Sequence, residues 1–146
     1  MSTDNSPEMV AELDRLDEAV KAAPAGDTSA QIALWRQVTA LESWFFIARG
    51  PSDRPRPYSA AAAQGPMICL YSSAVRANEA TRVLGLADEG GSVPLFGVPM
   101  PGAIDYVASF GQAGVVGVTL DYPRLGHYIP LANLGLLKSW IDGAAR

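Results

Sequence analysis

The chain has one cysteine and one histidine among its 146 residues. A lone Cys69 excludes an internal disulfide and any metal site built from clustered cysteines. A lone His127 means that any histidine-based dyad or triad must use that residue, and one histidine does not make a zinc site. Long apolar runs are also missing. The longest are broken by Arg36, Glu42 and Arg49 or by glycine and proline, and nothing approaches the roughly 20 uninterrupted apolar residues of a membrane span. The segment Met1–Pro7 has neither a basic nor an apolar stretch, which predicts no secretory signal and a cytoplasmic location. Both phosphate-binding glycine fingerprints, G-x-x-x-x-G-K-[ST] and G-x-G-x-x-G, are absent. The spacing of Gly111, Gly114 and Gly117 matches neither, and no cofactor is expected.

Basic residues are few and scattered, with 11 Lys and Arg against 15 Asp and Glu. No clustered basic face is available for nucleic acid. Seven acids and two bases fall within residues 1–28, so the remaining chain is close to neutral. That acidic segment reads as an amphipathic helix. Ser6-Pro7-Glu8 supplies a cap, a proline at the first helical position and an acid in the first turn. Met9, Leu13, Leu16 and Val20 recur at helical spacing, with acids opposite, up to about Ala22 before Pro24-Ala25-Gly26. The expected organisation is an acidic helix and linker over 1–28, followed by a single domain over 29–146.

Within 29–146 the hydrophobic period alternates between helix and strand. Asp27-Thr28-Ser29 caps a helix whose apolar face is Ile32, Trp35, Val38 and Leu41. The continuous aromatic run Trp44-Phe45-Phe46-Ile47-Ala48 reads as a buried strand. Arg49 to Gly65, punctuated by Pro51, Pro55 and Pro57, reads as loop. Met67–Tyr71 is a second strand, followed by a helix with Val75, Ala80, Val83 and Leu84 on one face and ended by Gly85 or by Gly90-Gly91. Val93–Val98 is a third strand, with Pro94 suggesting an edge. A helix opened by Pro101, a strand over Val115–Leu120 and a last helix over about Pro130–Ala144 complete the pattern. The predicted fold is α/β, a four-stranded mixed and largely parallel sheet flanked by helices. Right-handed crossovers make the last three strands mutually parallel, with the Trp44 strand joining antiparallel.

Candidate binding residues gather where strands end. Ser72 and Ser73 lie at a strand-to-helix junction, where free backbone N–H groups and the helix dipole favour an anion and Arg76 is one turn away. The plain alternative is that one of the serines caps the helix. Asp121, Tyr122, Arg124 and His127 lie just past the carboxyl end of a predicted parallel strand, the edge where ligands bind in open α/β sheets. Cys69 falls inside an apolar strand and reads as inert core. Arg49, Arg54 and Arg56 flank the loop prolines and read first as a solvated loop, with an acidic partner or the chain's own first helix as the alternative. Asp88-Glu89 reads as a glycine-rich turn.

The Ala33-Leu34-Trp35 helix end, Leu41, the Trp44–Ile47 strand, the Pro66–Tyr71 strand with Ser72-Ser73, and Gly114–Asp121 together resemble SseB-like N-terminal domains. The likeness spans about residues 30 to 140. Tyr71-Ser72-Ser73 stands where that family commonly has Phe-Thr, and Asp121-Tyr122-Pro123 where it commonly has Asn-Pro. The resemblance implies a bacterial α/β domain with no agreed enzymatic activity. The expected function is a non-enzymatic binding or regulatory module engaging a protein partner, a second copy or a small ligand, with no nucleic acid or membrane as partner. The alternative is a small enzyme joining Ser72, Ser73 and Arg76 to the 121–127 loop, which requires a serine within hydrogen-bond reach of His127.

Overall fold

Helix α1, Pro7–Ala22, begins as its sequence dictates: the Ser6 hydroxyl accepts from the Met9 amide at 3.3 Å and proline occupies the first turn. The computed structural model describes residues 5–51, 53–86 and 93–144. After α1 come helix α2 (Ser29–Ala40) and strand β1 (Ser43–Arg49), then three short strands, β2 (Arg56–Pro57), β3 (Ser59–Ala62) and β4 (Gly65–Leu70). Helix α3 (Ala74–Val83), β5 (Leu95–Pro99), α4 (Gly102–Ala108), β6 (Gly117–Leu120), β7 (His127–Pro130) and α5 (Leu134–Ala144) follow. Among the described residues, no helix is long and apolar enough to cross a membrane.

The fold is α/β, with one mixed four-stranded sheet ordered β3-β4-β6-β7 and a three-stranded set ordered β2-β1-β5. The two sets meet where Phe45 and Tyr71 exchange backbone hydrogen bonds of 3.0 and 2.8 Å. Alternate side chains of each strand point to opposite faces. Trp44, Phe46, Ile68, Leu70, Val118 and Leu120 therefore share one core with Leu13, Leu34, Ile104 and Leu137 from the four helices on that side. Phe45, Ile47, Cys69 and Tyr71 form the other core with Ala77 and Ala80 of α3. Burial on both faces explains why the Trp44–Ile47 run is apolar at every position.

The sheet is not largely parallel. Among the described residues, only β4 and β6 run parallel, in register Leu70↔Leu120. β3 and β7 flank them antiparallel, and β5 pairs antiparallel with β1. The handedness rule governs connections between neighbouring parallel strands. β5 is no neighbour of β4 or β6, so α3, β5 and α4 together make one long connection between those two. The 49–65 stretch, read as loop, holds β2 and β3, which its prolines keep short and at the edges. β7 escaped notice because four residues ending in proline carry almost no periodic signal. The expected stop at Gly90-Gly91 and the Asp88-Glu89 turn lie outside the described residues.

Two helix faces also differ from expectation. Ile32 is exposed. α3 turns Val75 and Val83 to solvent; Ala80 is buried as expected, and with it Arg76, Ala77 and Thr81. α1 packs on the body, with Leu13 and Leu16 in the main core. Leu13→Ala is accordingly expected to lower the unfolding free energy by about 2–5 kcal/mol, measured by urea titration. Glu18→Ala on the same helix should stay within about 0.5 kcal/mol. Equal small effects would show that α1 is not a core element.

Candidate functional site

Because β4 and β6 lie side by side in parallel, the residues that follow them, 71–73 and 121–124, leave the sheet at the same edge. Asp121 adopts a left-handed φ of 49°, a conformation that aspartate tolerates better than most residues. Its carboxylate accepts from the Ser72 amide at 2.8 Å, the Ser72 hydroxyl at 2.7 Å and the Arg76 guanidinium at 2.8 Å. Ser73 caps α3, its hydroxyl accepting from the Arg76 amide at 3.1 Å. The strand-to-helix junction therefore does hold an anion, and that anion is the chain's own Asp121. Tyr71 donates to the Tyr122 carbonyl at 2.9 Å, pinning the start of the following loop.

Arg76 is buried, and its second amino group reaches Asp14 of α1 at 2.6 Å. Burial disfavours the guanidinium charge, but hydrogen bonds and attraction from Asp121 and Asp14 outweigh it and raise its pKa further. Arg124 is half exposed and holds Asp14 and Glu79 only loosely, at 3.5 and 3.8 Å. His127 is paired outside this cluster, with Nε2 2.7 Å from Asp17 of α1. Burial also disfavours the Asp17 carboxylate, yet hydrogen bonds from Lys21 and His127 hold its pKa below the ordinary value. Cys69 is fully buried, which pushes its thiol up to about 12.

A recess of about 310 Å³ opens beside this edge, lined by Ala80, Val83, Tyr122 and Pro123, with Arg76 and Asp121 in its wall and Glu79 and Arg124 also lining it. Of the expected site residues, Arg76, Asp121, Tyr122 and Arg124 line it, and Ser72 lies behind Asp121. Ser73 lines a second recess, between α1 and α3. His127 is drawn instead to α1. Among the described residues, neither serine is hydrogen-bonded to His127; each has another partner.

No protein-family model matches the chain, and no curated protein does so either.

Three participants escaped the sequence reading. On sequence alone, Asp14 and Asp17 fall among the acids opposite the apolar stripe, yet Asp17 is buried and Asp14 bridges Arg76 and Arg124. The signal for Asp17 was available, since it follows Leu13 by four residues and so falls on the apolar stripe. Asn5 had none. Its buried amide donates to the carbonyls of Ser43 and Ser72 at 2.8 and 2.7 Å and accepts from the Glu42 and Ser43 amides. From outside the helix, the acids of α1 are met by Arg76, Arg124 and His127 rather than by Arg49, Arg54 or Arg56.

Arg76→Ala leaves a buried carboxylate without its counter-charge and should cost about 3–5 kcal/mol in chemical denaturation. Arg124→Ala, at the exposed lip, should cost less than about 1 kcal/mol. The Asp17 carboxylate, lowered in the folded state, stabilises the fold above the ordinary aspartate range near about pH 4. That contribution is lost as pH falls through the lowered value. The stability gap between wild type and Asp17→Asn should therefore close on acidification, and a gap independent of pH would contradict the assignment.

Proposed function

We propose that this chain is a non-enzymatic binding or regulatory module of the bacterial cytoplasm, engaging its ligand or protein partner at the recess beside the carboxyl ends of β4 and β6. The observation that carries this reading is the state of the polar groups around the recess. Arg76, Asp121 and Ser72 are bonded to one another, and Arg76 also to Asp14. A general base or nucleophile needs a reacting atom within its own hydrogen-bond reach. Here those groups hold the walls in place, while Ala80, Val83 and Pro123 offer apolar surface and Arg124 a loosely held charge. Apolar lining with a few fixed polar groups is the usual make-up of a binding recess, and about 310 Å³ is the small end of that range.

The resemblance to SseB-like N-terminal domains enters this proposal as fold-level analogy alone. It agrees with a role in binding and adds no residue to the site.

Titration of isotope-labelled protein with a panel of small aliphatic and aromatic fragments and short peptides, followed by amide NMR shifts, tests the reading. Ligands that bind should perturb Ala80, Val83, Tyr122 and Arg124 together. Val83→Glu should weaken the same ligands about tenfold or more, equivalent to about 1.4 kcal/mol. Perturbations gathered elsewhere, or binding indifferent to Val83→Glu, would refute it.

A further inference from the structure

Helix α3 carries an exposed ridge. Val75 is 61% and Val83 71% exposed, with Glu79 midway between them, also exposed. Residues four apart share a helix face, so the three form one line. The ridge runs between two recesses. One, of about 310 Å³, includes Val83, Tyr122 and Pro123 in its lining, and the other, of about 300 Å³, includes Val75, Val10 and Ala11. Glu79 lines both.

About Glu79 the helix Val75-Arg76-Ala77-Asn78-Glu79-Ala80-Thr81-Arg82-Val83 matches itself in reverse at its valine and arginine pairs, of which Val75, Val83 and Arg82 are exposed and Arg76 is buried. Valines lie four residues to either side and arginines three. A contact between identical copies about a two-fold axis requires a surface that matches itself when turned end for end. This ridge meets that requirement, because reversal brings each valine opposite the other valine's recess.

We propose that α3 is the centre of a symmetric homodimer, packing antiparallel on α3 of a second copy about Glu79. The inference rests on the reading that this edge is a binding surface, and it names the partner. Charge favours a second copy. Two Glu79 carboxylates brought near the axis repel when alone, but Arg82 is exposed one turn along and Arg124 lies 3.8 Å from Glu79. Asp14, 3.5 Å from Arg124, also lines the Val75 recess. Each copy therefore presents both signs here, Glu79 and Asp14 with Arg82 and Arg124, and a second copy can match them. A partner of one charge sign would leave one of these sets opposed. A ten-residue helix is only about 15 Å long. The recess walls must supply most of the roughly 800 Å² per partner of a standard interface, so the dimer is expected to be weak, in the micromolar range.

Sedimentation equilibrium of the full chain, from low micromolar to near-millimolar concentration, should show the mass rising from one chain toward two. Val75→Glu and Val83→Glu change exposed positions, and each should keep the wild-type circular dichroism while remaining monomeric throughout. Glu79→Cys should cross-link into a disulfide dimer under mild oxidation, while Leu136→Cys, equally accessible on α5, should not. Cys69 will not compete, being buried with its thiol pushed up to about 12. A wild type that stays monomeric, a dimer that survives both glutamates, or equal cross-linking at the two cysteines overturns the proposal. The first of these results leaves the recess itself untouched as a binding site, which the fragment titration decides separately.

Discussion

A guanidinium taken out of water must be surrounded by acceptors, and Arg76 obtains them from two distant parts of the chain. Asp121, at the end of β6, holds one amino group, and Asp14, on α1, holds the other. This requirement sets the rotation of α3 about its axis. With Arg76 turned inward beside Ala77 and Ala80, the valines at positions 75 and 83 must face outward. The two valines alone favour a different rotation, while Ala77 and Ala80 agree with the one observed. The ion pair prevails because it serves charges that are already buried, while an exposed valine forgoes only the modest gain of removing its side chain from water.

The same network explains how the edge beside β4 and β6 is assembled. Ser72 and Asp121 come together only because β4 and β6 are parallel and in register at Leu70 and Leu120. Asp121 then fills the anion position at the strand-to-helix junction, so the groups that attract attention in the sequence serve to hold the recess walls. α1 closes the arrangement from outside, with Asp14 on Arg76 and Asp17 on His127, while buried Asn5 ties the segment before it to β1 and to the Ser72 carbonyl. Its acids are thus divided between the molecule's own cations and solvent.

Much of the fold was legible residue by residue. Ser6-Pro7-Glu8, Ser73 and the apolar strands Trp44–Ile47 and Ile68–Leu70 act as local chemistry requires. Capping bonds form within a few residues, and a strand buried on both faces must be apolar throughout. The pairing of β5 with β1 was not legible, because strand partners lie far apart in sequence and hydrophobic period says nothing about direction. β7 was too short to register. The grouping of Arg76, Asp121, Tyr122 and Arg124 at one edge followed from a parallel pair, and that pair is present. His127 was assigned to the same group because of its closeness in sequence, and the turn into β7 carries it to α1.

By itself, the sequence determined the α/β class, the main helices and strands, the acidic amphipathic first helix and the burial of Cys69, all of which depend on neighbours within one or two turns or on local polarity. The tertiary structure decided which strands pair, which face of α3 is buried and which acids meet which cations. The pairs that matter most at this edge, Arg76 with Asp121 and His127 with Asp17, lie 45 and 110 positions apart, and no local pattern specifies them. The recess and the exposed valine ridge belong to that second group, since both arise from where Arg76 finds its carboxylates.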